Sequence, residues 1–182
     1  MAVTPDDQHA STPAEPTERE LLDRVATGDG PAFGLLAERL TPTLRRVLFR
    51  LGLAETEVED TVQEALIRVW QGSARFEGRS AVSTWACRIA LNLGISTLRR
   101  RRTPPPEPVA VMDTEAAWES MRQAESVRRA VMDLPLRLRA VIVLREFEDM
   151  PYRTISEVLD VPIGTVMSRL HDARSRLRRQ LA

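Results

Sequence analysis

The side chains of this sequence that could do chemistry are arginines on helical segments, rather than nucleophiles or metal ligands. All 26 basic residues are Arg, and 26 acidic residues balance them. Guanidinium groups bind phosphates and guanine edges through paired hydrogen bonds. A GC-rich genome would also favour Arg, so the distribution of the arginines says more about partners than their number does.

One group of arginines lies at the C-terminal end of the chain. From position 163 onward there are five Arg and one acidic residue, Asp172. Apolar residues recur in the same segment at the spacing that places them along one side of a helix. They are Val166, Leu170, Ala173 and Leu177. The sequence therefore predicts a helix with a basic outer surface suited to phosphates.

A shorter predicted helix, 152–159, precedes this one across three residues. Ile155 and Val158 give it an apolar face, and Asp160-Val161-Pro162 forms the turn. A short helix, a tight turn and a longer basic helix predict a helix-turn-helix, whose second helix enters the major groove of DNA. A solvated helix with a basic tail would share the charge, but it would not explain the turn.

Two predicted helices in the N-terminal half have exposed faces of different character. Over 55–71, acids, an amide, an Ile and a Trp share one side, which suits a protein partner, although periodicity alone fits a solvated face as well. Over 83–101, an exposed Trp85 and Arg88 precede four consecutive arginines, 99–102. Aromatic and basic side chains together suit single-stranded or melting DNA.

The proline-rich run Thr103–Pro108 cannot be helical, and it separates the helical segments into two groups. The remaining predicted helices are 18–26, 31–40, 44–51, 114–132 and 136–147. We therefore expect an all-α chain with two small helical domains and a Pro-rich linker, the C-terminal domain being the helix-turn-helix. The expected divisions are a disordered tail (1–17), an N-terminal domain (18–102), a linker (103–116) and a C-terminal domain (117–182).

Several short motifs in the C-terminal half occur together and in order. They are Leu134-Pro135, Arg139-Ala140-Val141, Leu144-Arg145-Glu146, the run 161–170 and Ala173-Arg174. Together they resemble the C-terminal domain of extracytoplasmic-function (ECF) sigma factors of the sigma-70 type, which implies binding to the −35 promoter element and to the flap of the polymerase β subunit. The implied −35 contacts are Arg153, Thr165, Met167, Ser168, Arg169, His171, Asp172 and Arg174.

Two of these positions depart from the family pattern. Met167 stands where Lys or Arg is usual, and Asp172 occupies a position that is frequently basic. A carboxylate accepts from the amino group of cytosine and repels phosphate. We therefore hypothesise a non-standard −35 preference.

Two motifs of the N-terminal half resemble the same family. The segment 58–70 is similar to the sigma segment that docks on the coiled coil of the polymerase β′ subunit, and Arg75-Phe76-Glu77-Gly78 with Ser83-Thr84-Trp85 is similar to the region that melts and reads the −10 element. The implied polymerase contacts are Asp60, Gln63, Glu64, Ile67 and Trp70. The implied −10 contacts are Phe76, Glu77, Ser80, Trp85, Arg88, Asn92, Arg99 and Arg100, with a flipped base held by the loop 77–82.

The resemblance implies a sigma factor that binds core RNA polymerase and promoter DNA and is held inactive by an anti-sigma factor. A two-domain transcription regulator is the main alternative, and it would bind duplex DNA without polymerase. An enzyme has no support, because the sequence lacks paired metal ligands, a phosphate-binding Gly loop and a nucleophile with a base. We expect no cofactor and no metal, no membrane insertion, and a cytoplasmic location consistent with the single cysteine, Cys87.

Overall fold

The computed structural model describes residues 15–101 and 115–182, with side chains from 124 onward in the second range, and its regular structure is helical throughout. The N-terminal helices are α1 (Glu18–Ala26), α2 (Gly30–Leu51), α3 (Glu55–Gly72) and α4 (Val82–Arg100). The C-terminal helices are α5 (Glu115–Met132), α6 (Leu136–Ile142), α7 (Tyr152–Leu159) and α8 (Ile163–Leu181). The predicted all-α class is confirmed. Within this part of the chain, no helix has the length and apolarity needed to cross a bilayer.

The predicted tail and linker fall mostly outside the described residues, which exclude 1–14 and 102–114. Where the tail is described, Thr17 is the N-cap of α1. Its hydroxyl accepts a hydrogen bond from the Glu20 backbone at 3.2 Å, and the Glu20 carboxylate accepts from the Thr17 backbone at 2.7 Å. The bond from the Thr17 backbone is the main reason that the pKa of Glu20 lies below its usual value. The start of α1 is therefore fixed at Thr17.

α2 is one helix of 22 residues, although Pro42 lies inside it. The predicted break between 31–40 and 44–51 was wrong. Proline removes one backbone hydrogen bond and costs about 3 kcal/mol in a helix interior. However, Leu40, Leu44 and Leu48 lie on the same buried side of the helix across the proline, and burying each leucine contributes about 1.5–3 kcal/mol. The burial of a continuous apolar stripe outweighs the lost bond.

α3 and α4 pack against α2 and against each other. Gly94 brings α4 close to α2, because a Cβ atom at this position would lie 2.6 Å from Cδ2 of Leu48. Gly72 plays the same part at the end of α3, where a Cβ would lie 2.9 Å from the indole of Trp85. These two glycines set the distances from α4 to its neighbours.

The C-terminal helices share one hydrophobic core with the N-terminal helices. Their buried residues include Leu138, Val141, Ile142, Ile155, Val158, Val166, Leu170 and Ala173. The predicted helix 136–147 is present, but α6 ends at Ile142 and the chain continues as a π-helical turn from Val143 to Phe147. Asp149, with a φ of 50°, then reverses the chain before α7.

The N- and C-terminal helices are joined by buried polar contacts at the end of α2. The Glu148 side chain is only 5% exposed and accepts from Arg46 at 3.1 Å and from Arg50 at 2.5 Å. Arg139 of α6 donates to the backbone oxygen of Leu51 at 2.9 Å, and its burial lowers its pKa. Because neither carboxylate nor guanidinium is buried cheaply without a partner, these bonds fix the position of one domain against the other.

We predict that Glu148→Gln lowers the free energy of unfolding by about 2 kcal/mol, because two arginines lose a buried anionic partner. The two arginines are partly exposed to water, which limits the loss. Urea unfolding followed by circular dichroism measures it.

Glu146→Gln is the matched control. Glu146 pairs with Arg174 at 2.6 Å, but both side chains are 44% exposed, and exposed pairs contribute below about 1 kcal/mol. Equal losses for the two variants would contradict the importance of the Glu148 contacts.

Candidate functional site

The outer face of α8 is open, and its inner face is buried as the sequence predicts. Val166, Leu170 and Ala173 are buried. Met167 is 54% exposed. Ser168, His171 and Asp172 are also exposed, at positions that share the outer side of the helix. The four residues predicted to read bases therefore lie together on an accessible surface.

The other residues predicted to contact the −35 element differ in their surroundings. Arg153 is exposed and 3.6 Å from Glu157, while Thr165 and Arg169 are half-buried. Arg174 is held by Glu146, and that hydrogen bond is the main cause of its raised pKa. Arg174 must therefore exchange a carboxylate for a phosphate if it contacts DNA.

The turn between α7 and α8 depends on a residue whose role the sequence did not reveal. Asp160 ends α7 with a φ of 53°, in the left-handed region. The Ser156 hydroxyl donates to the Val161 carbonyl at 2.6 Å, and the Val161 backbone donates to the Ser156 carbonyl at 3.2 Å. Ser156 thus ties the turn to α7. The sequence alone does not reveal this contact, because such a bond depends on the fold.

The predicted polymerase contacts lie on one exposed side of α3, which we call the α3 face. It consists of Asp60, Gln63, Glu64, Ile67 and Trp70. Ile67 is 42% exposed and Trp70 is 36% exposed. The Trp70 ring meets Phe33 edge-on at 5.0 Å, which holds the indole in place. The α3 face therefore combines carboxylates with fixed apolar side chains at the surface.

The predicted −10 contacts surround the N-terminal end of α4. Trp85 is half-buried rather than exposed, because it lies over Gly72 and its ring centroid is 4.9 Å from that of Phe76. Glu77 is exposed and ion-paired with Arg79, and Ser80 is half-buried. The loop is thus anchored by aromatic packing and leaves its polar groups accessible.

Further along α4, the polar side chains point to solvent. Arg88, Asn92, Arg99 and Arg100 are all exposed. Arg101 differs, since it pairs with Glu57 and donates to the backbone oxygen of Gly52 at 3.2 Å. Within the arginine run 99–102, Arg101 therefore makes a structural contact, while Arg99 and Arg100 form an exposed basic end of α4.

The two candidate DNA surfaces touch each other. α7 packs on α4, and Arg88 of α4 lies 3.5 Å from Asp160 in the helix-turn-helix. One of the candidate DNA-binding arginines is thus paired with a carboxylate of the other domain.

Cys87 lies in the core beneath this junction. It is fully buried, and burial raises the pKa of its thiol to about 12. Such a thiol carries little thiolate and reacts slowly. Among the residues that the structure describes, no group of histidine, cysteine and acidic side chains could hold a metal ion.

These surfaces define a two-domain, all-helical protein with a helix-turn-helix. Comparison with known proteins identifies the group. Residues 36–103 match Sigma-70 region 2, and residues 124–177 match Sigma-70, region 4. The chain is 33% identical to the ECF RNA polymerase sigma-E factor of Haemophilus influenzae, across 91% of this chain and 95% of the relative. It is also 33% identical to the RNA polymerase sigma-H factor of Pseudomonas aeruginosa, across 90% and 93% of the two chains.

A solved structure is similar as well. CnrH, in complex with the cytosolic domain of CnrY, matches with a TM-score of 0.70 and 28% identity, covering 90% of this chain and 96% of CnrH. The chain therefore belongs to the ECF group of sigma-70-type RNA polymerase sigma factors. As such it is a transcription initiation factor, of the class that directs RNA polymerase to promoters.

Proposed function

We propose that the chain divides promoter recognition among three surfaces: the α3 face for core polymerase, α8 for the −35 element, and α4 with its preceding loop for the −10 element. The observation that carries the proposal is that each surface is exposed and chemically distinct in one small fold. The chain itself performs no bond-making step, since polymerase carries out the chemistry, and it acts in the cytoplasm with polymerase.

The α3 face suits a basic and partly apolar protein surface. Asp60 and Glu64 are exposed carboxylates, while Ile67 and Trp70 supply apolar contact area with little side-chain freedom left to lose. The β′ coiled coil is the partner that the family resemblance implies. The β flap would bind the C-terminal domain.

The α8 surface suits duplex DNA. Its exposed Met167, Ser168, His171 and Asp172 occupy the part of a recognition helix that contacts base edges, and the arginines that follow suit phosphates. Asp172 would accept from a cytosine amino group, so it sets the −35 preference rather than the overall affinity.

The α4 surface suits DNA that is opening. A base flipped out of the duplex costs a few kcal/mol, and the loop 77–82 would hold it while Arg88, Arg99 and Arg100 bind phosphates. Asn92 would touch a neighbouring base, and the half-buried Trp85 would support the edge of the duplex. Asp160 and a phosphate compete for Arg88, so a phosphate that binds Arg88 replaces this exposed ion pair.

An anti-sigma factor completes the proposed partner set. Its expected action is to cover the α3 face or to hold the domains together. The complex of the related CnrH with the cytosolic domain of CnrY supports a protein regulator of this kind.

Charge reversal on the α3 face tests polymerase docking. We predict that Glu64→Arg weakens binding to purified core polymerase at least about tenfold, because it removes a charge attraction and adds a repulsion. Fluorescence anisotropy of the labelled chain measures the affinity. Glu38→Arg makes the same charge change at an exposed position of α2 and should leave the affinity intact. Similar losses in both variants would contradict a specific α3 docking face.

The −35 preference is tested by comparing Asp172→Ala with Arg176→Ala on duplex pools. We predict that Asp172→Ala relaxes discrimination at one base pair by about tenfold. Arg176 is exposed on the same helix. We expect Arg176→Ala to lower the affinity for all DNA sequences alike and to reduce the salt dependence of binding. Unchanged promoter choice and strength in Asp172→Ala would contradict the assignment.

A further inference from the structure

The loop that we propose for the −10 element is anchored at both ends by α1. This helix precedes the Sigma-70 region 2 match, which begins at residue 36. α1 packs against both the 3₁₀ turn Ser73–Arg75 before the loop and the start of α4 after it. Two neighbouring residues of α1, Glu18 and Arg19, make side-chain contacts on either side of the loop.

Glu18 caps α4 from another helix. The N-cap residue of α4 is Ala81, which has no side-chain acceptor. A carboxylate oxygen of Glu18 instead accepts a hydrogen bond from the Ser83 backbone at 3.1 Å. This satisfies one of the amide groups that a helix start leaves unpaired, and an anion is favoured at the positive end of a helix. The start of α4 therefore depends on α1.

Arg19 fixes the other end of the loop. Its guanidinium lies 5.3 Å from the centroid of the Phe76 ring, and the centroid of the Trp85 ring lies 4.9 Å from the same Phe76 ring. Gly78 has a φ of +71°, and a Cβ there would lie 2.6 Å from the Arg19 guanidinium. The arginine therefore occupies the space beside the loop that a side chain at position 78 would need.

Arg19 and Glu18 are themselves held in place. Asp23 pairs with Arg19 at 3.0 Å, and the reciprocal cap between Thr17 and Glu20 fixes the first turn of α1. A guanidinium within about 6 Å of an aromatic ring centroid is attracted to the face of the ring. Neither residue needs to touch DNA in order to influence its binding.

We infer that Glu18 and Arg19 are positioning residues for the −10 loop, so that α1 sets the geometry in which this loop captures unpaired DNA. The inference rests on the proposed function of the loop. It gives a role in −10 binding to α1, which contains none of the proposed −10 contact residues.

The test uses holoenzyme, assembled from the full chain and core polymerase. The holoenzyme first selects its non-template −10 sequence from a random pool. The probe is a single-stranded oligonucleotide with this sequence, in which 2-aminopurine replaces the captured base. We expect Glu18→Ala to weaken binding of this probe by about tenfold, the effect of losing a helix cap. We expect Arg19→Ala to weaken it by about two- to fivefold, the effect of losing an exposed cation–π contact. The affinity for core polymerase should not change.

Two further variants separate positioning from general damage. Glu18→Gln keeps an oxygen that accepts from Ser83, and we expect it to restore most of the probe binding. Arg24→Ala removes a cation from the far end of α1, where Arg24 pairs with Asp29 at 2.8 Å, and it should bind the probe as the unmodified chain does. Weak binding by Glu18→Gln, or a loss of core affinity in Glu18→Ala and Arg19→Ala, would overturn the inference.

Arg88→Ala distinguishes this inference from the proposed function. If Arg88→Ala weakens probe binding while Glu18→Ala and Arg19→Ala do not, the role of α1 is wrong and that of α4 stands. If all three variants bind the probe normally, the proposed −10 surface itself is wrong.

Discussion

The apolar side of α2 is buried against α1, α3 and α4 at once, and its C-terminal turn holds the second domain through Arg46 and Arg50. One continuous apolar stripe packs against all of these helices, and its burial requires α2 to remain a single helix. This burial outweighs the hydrogen bond that is lost at Pro42. α2 therefore positions α3 and α4 and holds the second domain at its C-terminal end, while α7 of the helix-turn-helix packs on α4.

The same packing places charged groups where DNA would compete for them. Arg88 faces Asp160, and Arg174 faces Glu146. In both cases an arginine proposed to bind phosphate has an exposed carboxylate partner within its own chain. Such pairs contribute little to stability, so polyanionic DNA can replace them at low cost. The buried Glu148 contact differs, because its carboxylate is removed from water and from competing ions.

Much of this architecture follows from the sequence, because it depends on residues that are close together along the chain. Helices with a clear apolar stripe, such as α3 and α8, were predicted to within one or two residues, because helical periodicity depends only on near neighbours. The arginine-rich outer faces were visible for the same reason. The split of α2 was mistaken, since the strength of a proline as a helix breaker depends on how much apolar surface the helix buries.

The contacts that the sequence did not reveal link residues far apart in the chain. Glu18 caps a helix that begins at position 82, and Glu148 meets arginines of α2. Each is an ordinary acid in the sequence, and nothing in its neighbourhood marks its partner. Trp85 was expected at the surface because helical spacing placed it beside Arg88, whereas Gly72 of α3 makes room for its ring.

These surfaces work together on RNA polymerase rather than as a free DNA-binding protein. In vitro transcription with purified core polymerase, on a genomic promoter pool and with or without the chain, measures this cooperation. We expect transcripts with defined start sites only when the chain is present, and upstream sequences that share two elements at a fixed spacing. Tight, site-specific binding of the chain to duplex DNA without polymerase, together with no such transcripts, would contradict it.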